Sequence, residues 1–220
     1  YPLRRQRQMC IRDRMNILVT GGMGIMGSWV TRQLFEEGHK VVTYSRHRDT
    51  MLLSDIVDKI DVAIGDVLDW ATLLRTIKKH EIECIVHLAA LITGTGVQIN
   101  PLVGFQVNAL GTVYILEAAR IMGIRRVVFS SSKAVFGRIS DEYGYPTYKP
   151  LNEDYPRQEP LPSLMVYGTS KIASELMGIN YTQNYGIEFI ALRFATPYGV
   201  GRKVRHGALA IHSKMIENAM

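Results

Sequence analysis

Short apolar runs recur along this chain, each separated from the next by polar turns or by segments with helical spacing. Asn16 to Val19, Lys40 to Tyr44, Asp61 to Ile64, Glu83 to Leu88, Arg125 to Phe129 and Ile187 to Phe194 are brief and rich in β-branched side chains. They read as six buried strands. Ile25 to about Glu37, Ala71 to His80, Pro101 to about Met122 and a stretch through Tyr167 to about Asn184 carry the spacing of helices instead. Gly38, Gly123 and Gly186 stand where three of these segments should stop, Pro101 opens one, and Asp69 is placed to cap another. Strand followed by helix, repeated, requires parallel strands joined by right-handed crossovers. The expected fold is therefore an α/β, doubly wound parallel sheet.

The alternation breaks from Arg138 to Leu164, where Pro146, Pro150, Pro156, Pro160 and Pro162 interleave with Tyr143, Tyr145, Tyr148 and Tyr155. A loop this long inside a compact domain is usually functional, so residues 138–164 read as an ordered excursion over a substrate cleft. Residues 1–14 lack periodicity and hold five arginines against Asp13. Their M-C-I-R-D-R ending resembles a translated sequencing adapter, and they are expected to be a non-native tail preceding a start at Met15. A nucleic-acid or lipid-binding basic arm is the alternative. Without the tail, the formal charge of +6 becomes 21 basic against 19 acidic residues, or +2, so the basic balance gives no pointer to nucleic acid and no such partner is expected. Two cysteines, Cys10 and Cys84, make no disulfide framework, which suits a reducing cytoplasm. No apolar run is expected to reach the length of a bilayer span, and no membrane partner is expected.

Thr20 to Gly27 reads T-G-G-M-G-I-M-G, between the first strand and the first helix. Gly21 can take a tight turn, Gly24 lets the main chain approach a pyrophosphate, and Gly27 lets the helix pack closely on the strand. The unpaired N–H groups of a helix start then face an anion. The spacing G-x-x-G-x-x-G differs from the common dinucleotide fingerprint, so the turn alone is a weak signal. After the second strand come Ser45, Arg46, His47 and Arg48. A hydroxyl with two guanidinium groups suits the 2′-phosphate of NADP better than the bare diol of NAD. A solvated basic loop is the bland alternative.

Asp66 stands where an acid can accept from an adenine amine or cap a helix. His87 reads as a satisfied buried histidine, and Ala89 and Ala90 leave room for a flat ligand. Asn108, within a helix, is either merely tolerated or bonded to a neighbouring backbone or a water near Lys171. Ser130, Ser131 and Ser132 bunch at the C-terminal end of the fifth strand, where ligands bind in open parallel sheets. Tyr167 and Lys171 are four apart on a helix and so share a face. A phenol ionises near pH 10, and a neighbouring ammonium together with a positive nicotinamide ring is expected to lower that value.

Together these motifs resemble the extended short-chain dehydrogenase/reductase superfamily, within it the NAD-dependent epimerase/dehydratase family. The matching stretches are TGGMGIMG at Thr20–Gly27, GDVLD at Gly65–Asp69, HLAA at His87–Ala90, NALGT at Asn108–Thr112, SSSKAVFG at Ser130–Gly137, YGTSK at Tyr167–Lys171 and LRFATPYG at Leu192–Gly199. The resemblance implies a Rossmann fold with Ser132, Tyr167 and Lys171 as the catalytic residues, Tyr167 being the acid/base. It further implies a dinucleotide held by Gly21, Gly24, Ile25, Met26, Gly27, Ser45, Arg46, Asp66, Val67, Leu88, Ala89, Ala90, Asn108, Ser130, Tyr167, Lys171 and Pro197, with no metal. Residues 15–200 would be the NAD(P)-binding domain, and 201–220 the start of a substrate-binding lobe that is mostly missing from this chain.

Three positions depart from the family pattern. Ser45 stands where NAD-binding members have an acid, favouring NADP. Lys133-Ala134 replaces the Asp-Glu of the sugar-nucleotide dehydratases, and Thr196 replaces an asparagine of the 4-epimerases. The implied function is epimerisation, or a related oxidoreduction, of a nucleotide sugar by hydride transfer at a carbinol carbon. An NADPH-dependent carbonyl reductase is the alternative, and a non-catalytic dinucleotide sensor a further one, against which the retained Tyr167 and Lys171 speak. The family often pairs through the helix from Pro101 and the helix carrying Tyr167, so a homodimer is a possible assembly.

Overall fold

The structure, a computed structural model, describes residues 14–92, 100–157, 165–197, 199 and 215. The expectations for residues 1–13, for the end of the excursion at 158–164 and for most of the stretch after Pro197 lie outside these residues.

Six strands form one sheet: β1 (Asn16–Thr20), β2 (Lys40–Ser45), β3 (Asp61–Ile64), β4 (Cys84–His87), β5 (Arg126–Ser132) and β6 (Glu188–Phe194). All pairings are parallel, in the order β3-β2-β1-β4-β5-β6. The chain winds outward from β1 to β3, returns to the centre, and winds the other way from β4 to β6. Between β1 and β4 the direction of winding changes, and there the C-terminal strand ends open a crevice suited to a ligand.

Both faces of the sheet are covered, which explains the near-continuous apolar strands. Along β1, Leu18 joins a cluster with Val42, Ile85 and Val127 on one face, while Ile17 and Val19 join Val41 and Val86 on the other. Val30 and Leu34 of α1 (Ile25–Glu36) close the second face. Leu73 and Ile77 of α2 (Trp70–Lys79) close the first, together with the helical segment that follows β4. Asp69 caps α2 as expected, its side chain accepting from the Thr72 N–H at 3.1 Å.

The long helix expected from Pro101 is continuous in direction but changes its winding. It comprises α3 (Pro101–Phe105), a π turn (Gln106–Leu110) and α4 (Gly111–Met122). By length and mean hydropathy the span Pro101–Met122 could cross a bilayer, which corrects the expectation that no stretch reaches that length. Its Ile115, Leu116, Ala118 and Ala119 are fully buried in the core. The last helix, α5 (Met165–Tyr185), packs so closely on β6 that a Cβ at Gly178 would sit 2.1 Å from the Phe189 ring.

Two differences bear on the site. β5 continues to Ser132, three residues past the expected end at Phe129, and carries the whole serine cluster in register with β6. Between β2 and β3 lie two short 3₁₀ turns, Met51–Leu53 and Val57–Lys59. They tuck Leu53 and Ile56 against Met23 of the glycine turn.

Candidate active site

The glycine turn is shaped by what surrounds it. Gly21 has φ +70°, and a Cβ there would lie 3.0 Å from the Ala89 main chain. The Gly21 N–H donates to the Tyr44 carbonyl at 2.8 Å, and the Gly24 N–H to the Gly21 carbonyl at 2.9 Å. At Gly27 a Cβ would fall 2.0 Å from the Gly21 oxygen, so α1 can start only if this residue has no side chain. Gly24 precedes α1 without any side-chain cap, leaving the first N–H groups of the helix directed out of the turn. Ile25 and Met26 sit in that first turn. With Trp29, Val30, Gln33, Pro197 and Gly199 they line an apolar hollow of about 300 Å³. The structure thus brings Pro197 to the mouth of the turn.

On the other side of the crevice, Ser45 reaches the same turn, its hydroxyl accepting from the Met23 N–H at 3.4 Å. Arg46, His47 and Arg48 are exposed, and among the described residues none forms an ion pair. Asp66 half-closes its own loop: Oδ1 accepts from the Leu68 N–H at 2.9 Å, and its carbonyl accepts from the Tyr44 hydroxyl at 2.9 Å. Val67 is buried beside Gly111, where a Cβ would meet it at 2.9 Å. The Leu88 N–H donates to the Thr20 carbonyl and the Ala89 N–H to the Thr20 hydroxyl, while Ala90 continues the same segment.

Asn108 lies in the π turn and is 1% exposed. Its amide is spent on both sides of Leu91, accepting from the N–H at 2.8 Å and donating to the carbonyl at 2.9 Å. Of the alternatives open from sequence, the backbone partner is the one present. Asn108 therefore shapes the site through the segment after Ala90.

Ser132, Tyr167 and Lys171 converge. The Ser132 side chain faces the Tyr167 phenol closely enough to favour its ionised form, and its hydroxyl accepts from the Ala134 N–H at 3.2 Å. Lys171 is 1% exposed. Its Nζ donates to the Ser130 carbonyl at 2.6 Å and lies 4.5 Å from the Phe129 ring centre and 5.6 Å from that of Tyr167. Burial pushes this ammonium down from its ordinary value to about 7, with the Glu175 carboxylate opposing the shift. In the protein alone the Tyr167 phenol shifts the other way. Burial pushes it up, and the Ser132 hydroxyl only partly offsets that. Desolvation disfavours a phenolate more strongly than one hydroxyl favours it. The Ser130 hydroxyl donates to the His87 carbonyl at 3.1 Å, so this serine meets Lys171 through its own carbonyl.

His87 is fully buried, as expected, and its proton can be placed. The Thr20 hydroxyl, which also accepts from the Ala89 N–H, donates to His87 Nδ1 at 2.7 Å because the neutral ring carries its proton on Nε2. Thr112 gives its hydroxyl proton to the Asn108 carbonyl at 2.6 Å, so His87 Nε2 must donate to Thr112 Oγ1 at 3.2 Å. Burial and then repulsion by Lys171 push the imidazole down to about 3, keeping it neutral. Sequence reasoning missed this chain's other members, Thr20, Thr112 and Ser174, and it missed Glu175, Arg157 and Arg193 beneath the serines. Only Glu175 left a sequence signal, four residues beyond Lys171 on one helix face.

A six-stranded doubly wound sheet, a glycine turn at the start of its first crossover and a paired tyrosine and lysine at β5 define a Rossmann domain of the dinucleotide-binding kind. Residues 17–220 match the NAD dependent epimerase/dehydratase family, and the chain belongs to it. A putative UDP-glucose 4-epimerase of Methanocaldococcus jannaschii is 33% identical over 205 residues, covering 92% of this chain and 63% of that protein. The UDP-glucose 4-epimerase of Bos taurus is 32% identical over 197 residues, covering 83% of this chain and 53% of that protein. The solved structure of a Thermus thermophilus UDP-glucose 4-epimerase in complex with NAD has a TM-score of 0.80 at 26% identity, over 92% of this chain and 62% of that one. The chain spans a little over half to just under two thirds of the length of these relatives.

The buried histidine makes stability depend on pH in a defined direction. The unfolded state takes up a proton at His87 near pH 6.5 and the folded state only near 3, so stability falls as pH drops between these values. In urea unfolding measured between about pH 6 and 4, the native sequence should take up about one more proton on unfolding than His87→Gln. Equal slopes for the two proteins would contradict the assignment.

Proposed function

We propose that residues 15–200, with the excursion at 138–164, form the NAD(P)-binding domain of an enzyme that epimerises a nucleotide sugar through oxidation and re-reduction of one carbinol carbon. The observation that carries this reading is the convergence of Ser132, Tyr167 and Lys171 at the end of β5. Family membership and relatives called UDP-glucose 4-epimerases support the substrate class.

The residues present fit a dinucleotide. The uncapped start of α1 offers N–H donors to a pyrophosphate, and Gly21, Gly24 and Gly27 let the turn close tightly behind those donors. Ile25 and Met26 would line the pyrophosphate, Asp66 and Val67 would meet the adenine, and Leu88, Ala89 and Ala90 would run along the cofactor. Pro197 would border the nicotinamide. Ser130 acts by holding Lys171, and Asn108 by fixing Leu91. When bound, the nicotinamide supplies the hydride acceptor and donor.

The chain's own side chains handle the proton. Ser132 and Tyr167 face each other, so a substrate hydroxyl placed between them would meet one donor and one base. Tyr167 takes the hydroxyl proton as the carbon is oxidised and returns it on reduction. Its phenol, held neutral by burial, needs positive charge close by before it can act. Lys171 supplies that charge while its Nζ stays on the Ser130 carbonyl. The Phe129 ring, 4.5 Å from Lys171 Nζ, helps keep water from that ammonium.

Ser45 and the exposed Arg46 and Arg48 support NADP as the preferred cofactor, since no carboxylate stands at this strand end. The same cations favour a second reading, an NADPH-dependent carbonyl reductase with the same three residues. The two differ in cofactor balance: the epimerase turns over without added dinucleotide once loaded, whereas the reductase consumes NADPH. Leu102, Phe105, Leu176 and Ile179 expose apolar side chains on α3 and α5, which supports pairing of two copies through these helices.

Replacing Tyr167→Phe should lower kcat by about 10²- to 10⁴-fold while the dissociation constant for the dinucleotide stays the same. Undiminished turnover in that variant would remove Tyr167 from the reaction. Arg46→Asp should lower the NADP/NAD ratio of specificity constants by about tenfold or more, because a charge-assisted pair with the phosphate is lost. An unchanged ratio would discard the phosphate-pairing argument.

A further inference from the structure

Glu175 lies one turn beyond Lys171 on α5 and is 3% exposed, yet nothing in the reaction described above uses it. Three side chains from three other parts of the chain converge on its carboxylate. Ser131 of β5 donates its hydroxyl to Oε1 at 2.5 Å. Arg193 of β6, the register partner of Ser131, donates Nε to Oε1 at 3.0 Å and Nη2 to Oε2 at 2.9 Å. Arg157, in the excursion, donates Nη2 to Oε2 at 2.6 Å. Arg193 is itself fixed, its Nη1 donating to the Glu153 carbonyl at 2.9 Å and its guanidinium lying 4.8 Å from the Phe136 ring centre.

A buried carboxylate is retained at a cost unless it is paired and its oxygens are filled, and here both conditions hold. The position of the clamp matters more than its strength. Ser131 is flanked by Ser130, whose carbonyl receives Lys171, and by Ser132, whose hydroxyl meets Tyr167. Holding Ser131 on α5 therefore sets the distance between that strand end and the helix carrying both reactive side chains.

We infer that Glu175 is a positioning residue for the reaction: with Arg157 and Arg193 as counter-ions it locks Ser131 to α5, aligns the Lys171–Ser130 and Tyr167–Ser132 contacts, and keeps an anion beside the sealed ammonium. The inference rests on the assignment of Ser132, Tyr167 and Lys171 to the chemistry. The groups facing Lys171 are Tyr167 and Glu175 on its own helix, the Ser130 carbonyl on β5 and neutral His87 on β4; Arg157 and Arg193 stand behind Glu175. Removing the anion while both arginines remain makes the ammonium give up its proton at lower pH.

Two variants and two readouts test this. Glu175→Gln should lower kcat about tenfold to a hundredfold, with KM and dinucleotide affinity changed by less than about threefold. The alkaline limb of its kcat profile should move to lower pH. An NMR titration of isotope-labelled Lys171 Nζ should show the same downward shift, and that comparison needs no turnover. Ser131→Ala breaks the clamp but leaves the anion, so kcat should fall while the Lys171 midpoint stays. Unchanged kcat in either folded variant, or an unmoved Lys171 midpoint in Glu175→Gln, would overturn the inference. Should Glu175→Gln fail to fold, kcat of Ser131→Ala decides. If Tyr167→Phe keeps full turnover, the reaction assignment fails, whereas the lysine titration still reports on Glu175.

Discussion

A lysine ammonium sealed from water needs polar company, and at the end of β5 that company is sparse. Lys171 has one carbonyl at 2.6 Å, the face of Phe129, and a carboxylate one helical turn away. Water would solvate the charge better than these groups do, which is why burial brings its proton affinity down towards neutrality. The same dryness makes any charge in the pocket act strongly on its neighbours. Tyr167, whose phenol burial alone renders inert, is the neighbour placed to benefit. The lowered proton affinity of the lysine and the raised one of the phenol are thus two consequences of one desolvated pocket.

Two polar networks keep that pocket in place. One runs from Thr20, beneath the glycine turn, through neutral His87 to Thr112, whose hydroxyl also meets Ser174 on α5 at 3.2 Å. It ties the turn proposed to receive a dinucleotide to the helix that carries the lysine, across the point where the sheet reverses its winding. The other is the Glu175 cluster, which joins β5, β6, the excursion and α5. Hydroxyls with determined directions and a carboxylate with filled oxygens leave little freedom to the strand end between them.

The strands were legible because a sheet covered on both faces demands apolar, β-branched runs, and each of the six stands where such a run lies. The glycine turn was legible for a similar reason: Gly21 and Gly27 are imposed by backbone contacts within a short stretch of chain. What sequence could not show depends on register and winding. Arg193 meets Glu175 because it is paired with Ser131 across β5 and β6, residues far apart along the chain. The π turn at Gln106–Leu110 rotates Asn108 onto Leu91, and no periodicity in the apolar pattern announces it. The proximity of Lys171 to the phenol could be read from spacing, whereas the burial that raises the Tyr167 pKa in the protein alone could not.

A crystal structure of the protein grown with NADP tests the central claim most directly, since it shows whether the buried lysine and the phenol address the same ligand. The account predicts the pyrophosphate over Gly21–Gly27, with Lys171 Nζ and Tyr167 Oη both facing the nicotinamide ribose. A dinucleotide bound elsewhere, or one seated on the turn with Lys171 Nζ and Tyr167 Oη both too far from its ribose to touch it, would contradict the account.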